Sequence, residues 1–211
     1  MLSDRRLRTF LRRWRRRYPG PVPWVDDRAN KAARRSEAAW LEQFAGRSSL
    51  KRREVKALVG WRFDDVATEQ QLALRGLDDW GHARRCVKKA LGATSPTDAL
   101  DCLLGERGGI AGWRPAMASA LLAACRPDRY AVVDERALRA LAGLGVVTPV
   151  TADGVDPGDW WPYLRACRDL ARRSGLPLRS VAQALWAAAE ESPKLPADDR
   201  PARRGTAAHQ R

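Results

Sequence analysis

Between Gly108 and Gly145 the chain reads GGIAGWRPAMASALLAACRPDRYAVVDERALRALAGLG, and no other stretch constrains the fold as tightly. Gly108, Gly109 and Gly112 crowd a turn that ends at Arg114. The apolar run from about Arg114 to Cys125 is too long for a buried strand and suits a helix. The helix before the turn, about Pro96 to Leu104, starts clearly: Ser95 is its N-cap, Pro96 takes the first helical position and Asp98 lies in the first turn. Beyond Cys125, Pro127-Asp128 marks a turn, and the β-branched pair Val132-Val133 leads into Asp134. That aspartate precedes Glu135-Arg136-Ala137-Leu138, so its carboxylate can cap the orphan amides of another helix. The stretch specifies helix, hairpin, helix, extended link and helix, with an acid at a defined point.

The period elsewhere is also helical. Leu7, Phe10, Leu11, Trp14 and Tyr18 form one apolar stripe on a helix otherwise covered by arginine, which Pro19-Gly20-Pro21 ends. So apolar a stripe predicts docking on the body with the arginines left outside. Further helices are expected near Arg28–Ala45, Leu50–Trp61, Val66–Leu74, Trp80–Leu91, Asp134–Ala142, Asp159–Ser174 and Arg179–Glu190. No alternating strand pattern runs longer than Tyr130–Val133, and no repeat is present. The fold class is all-α.

The central stretch resembles the base-excision DNA glycosylases of the helix-hairpin-helix (HhH-GPD) superfamily. There a hairpin of the type L-P-G-V-G-x-K-T-A is followed, about eighteen residues after its lysine, by V-D-T-H. Asp134 stands at the position of that acid, Ala116 at that of the lysine, Arg114 at that of the second hairpin glycine, and Glu135-Arg136 where Thr-His often follows. The resemblance covers roughly residues 50–190. It implies a two-lobed helical bundle with a central helix-hairpin-helix, to which the N-terminal basic amphipathic helix is an addition. The expected organisation is basic N-terminal helices over 1–49 packing on the body, a helix-hairpin-helix-like domain over 50–190, and a disordered tail over 191–211.

The resemblance also implies chemistry. An ionised Asp134 would stabilise the oxocarbenium-like sugar formed when an N-glycosidic bond breaks, and would orient or deprotonate the attacking water. Alanine at 116 removes the amine that would form a Schiff base, so the implied activity is monofunctional, releasing a base without cutting the strand. Asp134 is equally well explained as a helix cap alone. A hairpin of this kind grips phosphate through exposed backbone amides, for which Gly108, Gly109 and Gly112 allow close approach, and Arg114 adds a cation. An ordinary interhelical turn would carry the same glycines. Under the hairpin reading, replacing Gly112 with a β-branched residue is expected to strain the turn and lower duplex affinity while the flanking helices stay packed. A flipped base needs a pocket. Trp80, His82 and Trp113 are expected to be partly exposed or near the site, with Trp40, Trp61 and Trp186 as packing residues.

Charge is unevenly spread. The chain carries a net +14; residues 1–53 hold 16 Lys/Arg against 5 Asp/Glu, whereas residues 54–190 hold 18 against 17. A basic arm on a nearly neutral body is the footprint of a nucleic-acid binder, with Arg12, Arg13 and Arg16 as phosphate contacts; a solvated helix face is the other explanation. Cys86, Cys102, Cys125 and Cys167 form no C-x-x-C pair and sit in apolar patterns, which predicts reduced thiols with no metal and no cofactor. No apolar run is long enough to cross a membrane, and the arginine-rich start does not suit a secretory signal. The expectation is a monomeric, cytoplasmic, nucleoid-associated protein bound to double-stranded DNA, as a monofunctional glycosylase or as a non-catalytic binding module on the same fold. A helical scaffold for protein or acidic polymer is a third reading.

Overall fold

A computed structural model of the chain describes residues 3–18, 37–63, 66–146 and 155–190. Among them are ten α-helices and no β-strand, so the protein is all-α. The predicted start of the second helix at Arg28 and the tail from Glu191 lie outside the described residues.

Helix α1 (Asp4–Arg15) forms where the stripe requires it. Ser3 caps it, Asp4 sits in its first turn and Arg12, Arg13 and Arg15 in its last, each sign complementing the helix dipole. Leu7, Leu11 and Trp14 are buried, and Arg12, Arg13 and Arg16 are exposed, as the periodicity predicts. Arg13 and Arg17 lie over the Trp14 ring at 5.6 and 5.1 Å, covering its outer face with charge.

The remaining helices are α2 (Glu37–Glu42), α3 (Arg52–Arg62), α4 (Ala67–Arg75), α5 (Trp80–Gly92), α6 (Pro96–Asp101), α7 (Pro115–Cys125), α8 (Glu135–Gly143), α9 (Pro157–Ser174) and α10 (Leu178–Glu190). By mutual packing they sort into two groups. Helices α3 to α7 pack among themselves, and α10 packs with α1, α8 and α9. The basic helix thus completes the C-terminal group, where Arg173 of α9 bonds Asp4 at 2.9 Å. One continuous apolar core runs through both groups. Helix α7 lies at its centre: of its residues Ala116 alone is not buried.

The link after α7 is anchored where it leaves the helix. Arg126 donates to the Arg47 carbonyl at 2.7 Å, and Gly46 N–H donates to the Cys125 carbonyl at 2.9 Å. All four cysteines are free; burial pushes the Cys125 and Cys167 thiols up to about 12, so both stay protonated at neutral pH.

Since Leu11 is 0% exposed against α9 and α10, Leu11→Ala is expected to destabilise the protein by about 2–5 kcal/mol in chemical denaturation. Arg12→Gln, on the outer face of the same helix, should change stability by no more than about 0.5 kcal/mol. Equal effects would mean that α1 is not integral to the core.

Candidate functional site

Asp134 is fixed by three helices. Val133 N–H donates to Ser119 Oγ of α7 at 3.0 Å, and Tyr163 of α9 donates its hydroxyl to the Val132 carbonyl at 2.8 Å. These two bonds hold the link extended, so the chain enters α8 with Asp134 as N-cap, its Oδ1 accepting from Arg136 N–H at 2.9 Å. The second oxygen, Oδ2, accepts from Arg62 of α3 at 2.9 Å, bringing the two helix groups together. Both side chains are only about a fifth exposed, at 18% and 20%. Arg62 Nε is buried and finds no partner among the described residues.

This ion pair lies in a cleft of about 770 Å³ between the groups. Ala116 lines the same cleft, as do Arg114 at the mouth of the α6–α7 turn and Arg136 of α8. The positions aligned with the acid and the lysine of the resembled motif therefore meet at one hollow. Asp134 is not enclosed.

A second carboxylate, which the sequence reading did not single out, faces the same space. Glu37 at the start of α2 accepts from Tyr18 Oη at 3.3 Å and Trp61 Nε1 at 3.2 Å on one oxygen, and from Gln183 Nε2 at 2.8 Å on the other. Burial raises its pKa above the ordinary carboxylate value, and Arg179 opposes that rise. The Tyr18 hydroxyl is pushed far up by burial and by Glu37, so it remains a neutral donor. Arg179 is shifted down by the same desolvation. Trp186 closes this wall, with Arg136 over its ring at 4.7 Å and Tyr18 edge-on at 5.4 Å. Trp61 and Trp186 are thus packing residues that also line the cleft. Nothing in the local pattern marks Glu37; Tyr18 reads as the end of an apolar stripe and Arg62 as a surface residue.

Other expectations require correction. Trp113 is 2% exposed, with its indole N–H donating to the Ala73 carbonyl at 3.1 Å; it is a packing residue. Trp80 is half-buried and His82 partly so, but neither lines the cleft. His82 Nε2 donates instead to the Gly109 carbonyl at 2.8 Å, tying α5 to the α6–α7 turn. A Cβ at Gly109 would lie 2.5 Å from the Leu103 carbonyl carbon. Gly112, at φ +75°, would bring a Cβ to 2.6 Å from the Leu72 carbonyl oxygen of α4. Replacing Gly112 therefore strains the turn, as expected, and also presses it against α4. Gly108, at φ +78°, has open space around it. The amides of Ala111, Gly112, Arg114 and Ala116 find no acceptor among the described residues.

Among the described residues no helix is long and apolar enough to cross a membrane, and no group of three or more His, Cys, Asp or Glu is placed to hold a metal ion. Comparison of the chain with protein-family models, curated proteins and solved structures finds no match.

Removing one member of the Arg62–Asp134 pair leaves the other half-buried without its partner, so Asp134→Asn and Arg62→Gln should each lower stability by about 1–3 kcal/mol. The double variant should lose less than the sum, with a coupling of about 0.5 kcal/mol or more in a denaturant-based cycle. Strict additivity would show that the pair does not join the two groups.

Proposed function

We propose that this protein binds double-stranded DNA through a helix-hairpin-helix and acts as a monofunctional DNA glycosylase, with Asp134 as the acid. The observation that carries this reading is that Asp134 caps α8 and still opens onto the cleft, whose volume of about 770 Å³ suits a small-molecule site. In this reading the two helix groups are the lobes, and α6, the turn and α7 are the motif. The unengaged amides of Arg114 and Ala116 at the N-terminus of α7, and that of Gly112 in the turn before it, take a phosphate, with the Arg114 side chain beside them. The exposed Arg12, Arg13 and Arg16 add phosphate contacts that carry no sequence information.

A nucleotide turned out of the duplex presents its sugar to Asp134. The carboxylate stabilises charge on the sugar as the base leaves and directs a water to the same carbon. Arg62 covers Oδ2, so the approaching sugar turns its guanidinium aside, where flanking phosphate oxygens are charge-assisted acceptors. Ala116 provides no amine, and the reaction ends at an abasic site.

The Arg62–Asp134 pair favours one other reading. A carboxylate with both oxygens engaged is a structural joint, and the chain is then a non-catalytic DNA-binding module on the same fold.

Base release distinguishes the two. Duplexes carrying alkylated, oxidised, deaminated or hypermodified bases should lose free base to the parent protein, and the strand should break only after alkali. Asp134→Asn should slow release on the order of a hundredfold or more under conditions where it is folded. A parent protein that binds duplex but releases no base from any panel leaves the binding module as the function.

For the arm, replacing Arg12, Arg13 and Arg16 together by glutamine should weaken duplex binding irrespective of sequence. Each lost phosphate contact should flatten the log–log salt dependence by about 0.9. An unchanged slope assigns these arginines to solvation of α1.

A further inference from the structure

Glu37 is costly where it stands. Burial disfavours its charge, no full ion pair offsets this among the described residues, and its three hydrogen-bond partners are all neutral. Tyr18 and Trp61 occupy Oε1 and Gln183 occupies one site on Oε2. A carboxylate accepts about four hydrogen bonds, so one acceptor site remains, on Oε2. The three donors arrive from the turn after α1, from α3 and from α10, and hold the group rigidly at the cleft wall. A rigid, poorly solvated acceptor with one open site is built to receive an N–H donor.

We infer that Glu37 determines which base the cleft admits: its Oε2 accepts the exocyclic amino group of an extruded amino-bearing nucleobase. This rests on the reading of the cleft as a base pocket. A thymine- or uracil-type edge can donate only through a single N–H flanked by two carbonyls, whose oxygens crowd the carboxylate. An adenine or cytosine edge places an amino donor beside a ring-nitrogen acceptor. That second group meets cationic Arg179, which shares this part of the cleft. Leaving a buried polar group unpaired is what makes such a site reject the wrong edge.

Glu37→Gln makes a distinctive test. Two donors pin the side-chain oxygen at the Oε1 position, so the amide nitrogen falls at the Oε2 position, and Gln183 turns its own amide to accept from it. The open acceptor then becomes a donor, with shape preserved.

The probes are 2′-deoxyadenosine, 2′-deoxycytidine and thymidine, titrated against the full chain and followed by tryptophan fluorescence. The parent should bind the two amino nucleosides about tenfold or more tighter than thymidine. Glu37→Gln should reverse that order. In the parent alone, the preference should fade as the pH drops through the raised pKa of Glu37. The charged and titratable groups that act on Glu37 are Arg179 and Tyr18, with Arg62 and Asp134 acting on Tyr18 in turn; Tyr18 stays protonated throughout.

A raised folded-state pKa adds stability at low pH that is lost as the pH rises through it. Glu37→Gln should therefore be no less stable than the parent at neutral pH, by urea midpoint. A lower midpoint with an unchanged nucleoside order makes Glu37 a structural joint and overturns the proposal, as does a parent that binds all three nucleosides alike. Duplex binding and base release are measured alongside. If the nucleoside order reverses but no duplex is bound, this pocket assignment stands and the glycosylase reading fails. If base is released from DNA without any nucleoside order, the glycosylase reading stands and this assignment fails.

Discussion

Helix α7 has no polar face to offer water. From Met117 to Cys125 every residue is buried, so the helix must be surrounded, and the rest of the chain is arranged to surround it. Its two ends are then the points at which chain emerges from the core. The α6–α7 turn leaves one end and the link to Asp134 leaves the other. Burial of α7 also explains why Ser119, polar and fully buried, is tolerated: its Oγ accepts from Val133 N–H and its hydroxyl donates to the Ala116 carbonyl at 3.2 Å. The helix that fills the core thereby aims the acid at the cleft.

Across the cleft, the charges meet partners of different kinds. Arg62 and Asp134 form one contact, and Arg136 sits on the Trp186 ring. Glu37 is held by neutral donors with Arg179 nearby. Replacing such a cluster with apolar side chains would often be neutral or stabilising.

The α6–α7 turn shows how one residue type can answer two demands. Gly112 adopts a positive φ, and it also lies where a Cβ would strike the α4 backbone. Gly109 is required by contact with Leu103 and Leu104. Packing alone accounts for both glycines. The case for a phosphate at this turn rests instead on the amides left without acceptors and on Arg114.

Helices were legible in the sequence because period, caps and breakers are local. Ser95 caps α6 and Asp134 caps α8 where the residue order predicts, and α9 ends at the expected Ser174, with Gly175 after it at φ +68°. The burial of Leu7, Leu11 and Trp14 followed from spacing for the same reason. The cleft was half legible. Asp134, Ala116 and Arg114 lie close in sequence on either side of α7, so one motif could point to all three. Glu37, Arg62 and Gln183 come from helices far apart in the chain, and a carboxylate that meets its donors only through tertiary packing leaves no periodic trace. The same holds for Trp113 and His82, whose partners Ala73 and Gly109 are about 40 and 27 positions away. Sequence by itself determined which segments are helical and which face each one buries, because those depend on neighbours along the chain. Only the tertiary structure decided which polar side chains share a cleft, because desolvation and hydrogen bonding depend on neighbours in space.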